Sequence, residues 1–151
     1  MDINGEFEIA TSRQQVWEAL NDPDMLARCI PGCESIERES DTELLAKIKA
    51  RIGPVKARFE SRIVLSNLNP PESYTISGEG RGGPAGFGKG SADVTLSESN
   101  GNTTLRYTAT LQVGGKLAQV GSRLVGGAAK KIADDFFGKF VEVLAPPPQP
   151  G

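Results

Sequence analysis

GGKLAQVGSRLVGGAAKKIADDFFGKFVEVL, residues 114–144, is the stretch on which the fold turns. In it Leu117, Val120, Leu124, Ala128, Ile132, Phe136, Phe140 and Leu144 recur every three or four positions. That spacing gives one apolar face of a helix. Lys116, Arg123, Lys130, Asp134 and Glu142 fall elsewhere on it. At ~1.5 Å per residue the rod reaches about 45 Å, enough to cross a whole sheet. Gly126-Gly127 lies near its middle. Each glycine costs about 1 kcal/mol relative to alanine, so a kink is expected there.

Outward from this rod the chain reads mainly as strand. Ile3, Gly5, Phe7 and Ile9 alternate with Asn4, Glu6 and Glu8, a half-buried strand. Ser12 followed by Gln15 is a capping box, opening a short helix that carries Val16, Trp17 and Leu20. Asp22-Pro23 starts a second helix with Leu26, Cys29 and Ile30 inward, and Pro31-Gly32 ends it. A strand around Glu34, Ile36 and Arg38 turns at residues 40–42 into Leu44, Ala46, Ile48, Ala50 and Ile52. Gly53-Pro54 breaks that run. Val55, Ala57, Phe59, Ser61, Ile63 and Leu65 then oppose Lys56, Arg58, Glu60 and Arg62, a strand with one wet face. Tyr74, Ile76 and Gly78 begin the next strand after Asn69-Pro70-Pro71. RGGPAGFGKG, residues 81–90, is expected to form a Gly-rich loop. Ala92, Val94 and Leu96 resume the alternation. Asn100-Gly101 is a hairpin signal, leading into Leu105, Tyr107, Ala109, Leu111 and Val113. Seven strands in a meander, clasping one terminal helix, make an α+β domain over residues 1–145. Pro146-Pro147-Pro148-Gln149-Pro150 cannot continue a helix, so residues 146–151 read as a proline-rich tail.

Composition narrows the function. The chain of 151 residues suits one domain. It has no histidine, which excludes His-based acid–base chemistry and the commonest metal ligand. A net charge of −2 gives no overall field for nucleic acid or anionic lipid. The first residues, Met1-Asp2-Ile3-Asn4-Gly5-Glu6, carry acids and do not read as a signal peptide. No run approaches the ~18 apolar residues of a membrane span. A cytoplasmic location is expected, with membrane contact at most peripheral, at the inner face. Two cysteines, Cys29 and Cys33, fit a reducing compartment.

Strand, two short helices, six strands and a long helix is the helix-grip plan. Within it, Val16-Trp17, then Asp22-Pro23, then Cys29-Ile30-Pro31-Gly32-Cys33 resemble the CoxG family of carbon monoxide dehydrogenase proteins. That family is part of the START-like (SRPBCC) superfamily, also called the polyketide cyclase or Bet v 1-like group. Ile52-Gly53-Pro54-Val55, Gly78-Glu79-Gly80, Gly114-Gly115-Lys116-Leu117-Ala118 and Phe136-Phe137 agree with it. The resemblance covers roughly residues 1–145. It implies a curved seven-stranded antiparallel sheet around the terminal helix, with a cavity between them. It also implies an accessory protein of molybdenum-containing CO dehydrogenase-type hydroxylases, linked to membrane recruitment or electron delivery, not a catalytic subunit.

Small residues at inward positions, including Ala46, Ala50, Ala57, Ser61, Gly78, Ala92, Ala109, Gly121 and Ala128, would under-fill the space between helix and sheet. The plainer alternative is a sheet that simply hugs the helix. If a pocket exists, its expected lining is Ile48, Phe59, Ile63, Tyr74, Ile76, Phe87, Tyr107, Leu111, Leu117, Leu124 and Ile132. The expected guest is a hydrophobic small molecule, a quinone or a lipid. The Gly-rich loop reads either as a gate bearing Phe87 or as a flexible hairpin. Strand alternation after it argues against a phosphate cradle. Cys29 and Cys33 are expected as buried free thiols, and no metal or cofactor is assigned. Trp17 fits core packing better than ligand contact. The basic strand face of Arg51, Lys56, Arg58 and Arg62 reads as a wet surface or a dock for an acidic partner. No nucleophile–base pair emerges, so catalysis is not expected. Two other readings remain open: a pure adaptor or maturation factor for a molybdenum hydroxylase, and a small cyclase- or hydratase-like enzyme.

Overall fold

Alternation of period two places Leu44, Phe59, Leu65, Tyr74, Val94, Leu105 and Tyr107 on the buried side of one sheet. In the computed structural model, which describes residues 1–144, its strands are β1 (Asp2–Ile9), β2 (Cys33–Ser40), β3 (Glu43–Ile52), β4 (Val55–Asn69), β5 (Ser73–Arg81), β6 (Phe87–Ser99) and β7 (Asn102–Gly114). All neighbours pair antiparallel, in the order β1-β7-β6-β5-β4-β3-β2. The expected proline-rich tail lies outside the described residues.

The turns follow from local chemistry. Asn100 and Gly101 both adopt positive φ, 55° and 79°, in the two-residue loop between Ser99 and Asn102. That is the primed-turn geometry matching the strand twist. Gly53, at φ 58°, serves the β3–β4 turn, where Ile52 faces Val55. Helices α1 (Arg13–Leu20) and α2 (Pro23–Cys29) sit between β1 and β2. The Ser12 side chain accepts from Gln15 N at 3.3 Å, and Asp22 Oδ1 from Asp24 N at 3.0 Å. Such caps contribute about 1 kcal/mol each.

The terminal helix departs from expectation. It is two pieces, α3 (Lys116–Val120) and α4 (Ser122–Leu144). The break is at Gly121, at φ 101°, and not at Gly126-Gly127, which stay helical. The break resets the helical phase. Val125, not Leu124, is buried on α4, and Phe137 is buried where Phe136 is half-buried. The predicted Gly-rich loop is also shorter. Only Gly82–Gly86 leave the sheet, around a 3-10 turn at Gly83–Ala85, and Phe87–Gly90 already pair with β5.

The main core gathers the C-terminal half of α4, α1 and the middle of the sheet. Ile9, Val16, Leu105 and Phe140 are fully buried there. Phe137 stacks on Phe7 at 4.7 Å and on Tyr107 at 5.3 Å, while Trp17 meets Tyr74 edge-on at 5.3 Å. The one fully buried polar side chain among the described residues, Thr103, donates to Thr11 O at 2.7 Å. A second, smaller core of Phe59, Ala85 and Leu117 lies under α3. No helix of the described residues is long and apolar enough to cross a membrane.

Candidate functional site

Between the two cores the layers do not fill. On the inner face of β5 and β6, Gly78 opposes Gly90 and Gly80 opposes Gly88. These two cross-strand pairs put four residues without side chains side by side. Opposite them α4 presents Val125, Ala129 and Ile132. The result is a cavity of about 370 Å³, walled by Ile48, Ala50, Ile52 and Phe59 on one flank and by Leu111, Val113 and Leu117 on the other. Ile30 and Pro31, at the end of α2, close the third side. A second apolar lobe of about 270 Å³ adjoins it, sharing Gly78, Gly90, Leu111 and Ala129 and reaching Ile3, Ile63, Ile76, Ala92 and Ala109.

The larger lobe has one hydroxyl in its lining, Ser61, and no carboxylate. Lys89 contributes from a strand position whose neighbours Gly88 and Gly90 face inward, so its side chain alternates outward. A wall of this kind suits an apolar guest with few polar groups. A larger depression of about 700 Å³ lies on the outer face of the sheet. It is lined by Arg62, Glu79, Lys89, Gln112 and short hydroxyl side chains, so it offers no apolar surroundings.

Of the residues expected to line the pocket, the structure brings seven together: Ile48, Phe59, Ile63, Ile76, Leu111, Leu117 and Ile132. Four lie elsewhere. Tyr74 and Tyr107 are buried in the main core, packed on Trp17 and on Phe7 and Phe137. Burial pushes the Tyr74 phenol far above its ordinary range. Phe87 lies on the outer face, its ring covering Gly114 across the strand pair, and is no gate over the cavity. Leu124 is 57% exposed, because the Gly121 break turns it outward.

Sequence reasoning missed Ile30, Pro31, Ile52, Val113, Val125, Ala129 and the paired glycines Gly80, Gly88 and Gly90 as lining residues. The strand members were legible: Ile52 and Val113 continue the inward alternation. Val125 and Ala129 were hidden by the helix break. Cys29 is buried and Cys33 half-buried, both as free thiols. Burial raises both thiols above their ordinary range.

The sequence pattern of the carbon monoxide dehydrogenase family CoxG matches residues 5–145. A conserved protein from Geobacillus kaustophilus is 34% identical, with 95% of each chain covered and a TM-score of 0.89. The Zhui aromatase/cyclase from Streptomyces sp. R1128 shares the fold at 14% identity, covering 95% of this chain and 93% of its own, with a TM-score of 0.70. Ara h 8.0201 does so at 13% identity, covering 95% and 97%, with a TM-score of 0.68. No curated protein matches the sequence. A curved seven-stranded grip, a cavity under its terminal helix and a family pattern running over nearly the whole chain agree, and the chain belongs to the carbon monoxide dehydrogenase CoxG family.

Proposed function

We propose that this protein is a non-catalytic accessory protein that carries one apolar molecule, a quinone or a lipid, in the space between β5–β6 and α4. It would serve a molybdenum hydroxylase of the CO dehydrogenase type, by electron delivery or by recruitment to a membrane. One observation carries the reading: two adjoining apolar lobes of about 370 and 270 Å³ with a single inward hydroxyl in the larger. Pockets of that size and character bury most of a small ligand's surface. The proposed contacts are Ile48, Phe59, Ile63, Ile76, Leu111, Leu117 and Ile132, with Val125 and Ala129. The partner enzyme rests on family membership alone.

Native mass spectrometry of protein purified without detergent tests the proposal. The expected result is a mass increment of a few hundred daltons that organic extraction removes. A chain that is always at its bare mass, and that fails to take up an added quinone or an apolar fluorophore, overturns it. The enzyme reading draws on one fold relative being an aromatase/cyclase. It requires a polar pair in the lining, where the larger lobe has Ser61 and no carboxylate.

A further inference from the structure

A net charge of −2 conceals a strong separation of charge along the chain. Residues 47–58, the arms and tip of the β3–β4 hairpin, hold Lys47, Lys49, Arg51, Lys56 and Arg58 and no acid. Residues 115–133, which make α3 and the first half of α4, hold Lys116, Arg123, Lys130 and Lys131 and no acid. Nine of the 17 Lys and Arg therefore sit in two short segments that contain none of the 19 acids.

The fold joins these segments at one end of the molecule. A Cβ on Gly53, at the hairpin tip, would stand 3.1 Å from Val120 Cγ1, at the end of α3. Within the hairpin, Lys49 lies directly opposite Arg58, and Arg51 directly opposite Lys56. Like charges facing across strands destabilise a sheet. Arg58 has Glu34 at 3.0 Å, but among the described residues Lys49, Arg51, Lys56, Lys116 and Arg123 have no salt-bridge partner. All five are exposed. Beside Arg123, Leu124 projects into solvent at 57% exposure. The cavity extends to this same end, since Ile52, Leu117 and Val125 line it.

We propose that this end, formed by the β3–β4 hairpin tip and the α3–α4 corner, is a docking surface for an anionic lipid bilayer. The unpartnered cations meet lipid headgroups, and Leu124 enters the boundary between headgroups and acyl chains. The choice of a bilayer over an acidic protein rests on the carrier reading, because a guest that is apolar partitions into lipid and must be loaded from it. Docking by this end sets the apolar lobe against the source of its guest.

Co-sedimentation of the full chain with vesicles tests this. Vesicles of phosphatidylcholine mixed with phosphatidylglycerol should bind the protein at low salt and release it as salt rises. Vesicles of phosphatidylcholine alone should bind it far more weakly. Each cation near such a surface contributes roughly fivefold in affinity, so the double variant Lys49→Gln, Lys56→Gln should bind about 25-fold more weakly. Leu124→Ser should weaken binding without changing its salt dependence. Arg106→Gln, on β7 and paired with Glu6, should bind as the parent does. Uptake of an apolar fluorophore by each variant in the absence of vesicles should be unchanged, which separates docking from carriage. Equal binding to neutral and anionic vesicles, or parental binding by the double variant, overturns the proposal. So does a double variant that loses only its retention on an acidic protein while the parent ignores vesicles.

Discussion

Four glycines and one tyrosine concentrate the residue-scale consequences. A Cβ on Gly88 would meet only Val113 Cγ1, at 4.0 Å, whereas on Gly90 it would come within 2.7 Å of Thr110 O. Gly88→Leu therefore fits the backbone and fills the larger lobe. Its expected outcome is loss of at least tenfold in affinity for an apolar fluorophore, with thermal stability held or raised, read by fluorescence titration and thermal melts. Tyr74 has the opposite logic, since its site is closed. Its phenol ionises near pH 10 in the unfolded chain, and only at much higher pH in the folded one. A raised folded-state value leaves stability intact below about pH 10 and erodes it as pH rises beyond. The slope is roughly 1.4 kcal/mol per pH unit for one group. Urea unfolding at a series of alkaline pH values should show that decline, and Tyr74→Phe should flatten it. The sequence placed Tyr74 inward correctly. Which inward residue meets a core and which meets a void depends on what α4 brings opposite it, and one strand's pattern does not carry that information.

At the scale of elements, the break between α3 and α4 separates what was legible from what was not. Period-two alternation, the caps at Ser12 and Asp22 and the Asn100-Gly101 turn are local signals, and they placed the strands and the two short helices. A helix interruption is not local in this way. Gly121 bears φ 101°, while Gly126 and Gly127 are ordinary helical residues, and three glycines in one periodic run look alike in sequence. One substitution at each place distinguishes them. Gly127→Ala adds a Cβ that meets nothing within 4 Å and should stabilise by about 0.5–1 kcal/mol. Gly121→Ala places a side chain at positive φ and should destabilise by about 1–2 kcal/mol. Phe140, fully buried in the main core, anchors the far end of α4, and Phe140→Ala should cost about 3–5 kcal/mol. Chemical denaturation of the three variants checks all these signs.

Over the whole molecule, the order of elements was readable because each hairpin announces its turn and consecutive antiparallel strands leave few other topologies. The cavity was readable as a deficit of volume, from Ala50, Ser61 and Gly78 at inward positions. Its outline was not, because the phase of α4 and the cross-strand pairing of Gly80 with Gly88 are tertiary facts. Charge was legible but averaged away: a near-neutral total obscures Lys47 to Arg58 without a single acid between them.

The separation of the buried residues into a large cluster around Phe140 and a small one of Phe59, Ala85 and Leu117 has a dynamic consequence. Amide protons of α3 and of the neighbouring β3–β4 turn should exchange with deuterium through partial opening, at a free energy well below that of global unfolding. Those of β7 and of the last turns of α4 should exchange only when the entire chain unfolds. An occupant resting on Leu117 would knit the weaker unit to the stronger one and merge their exchange rates, so that cargo itself completes the cooperativity of the domain.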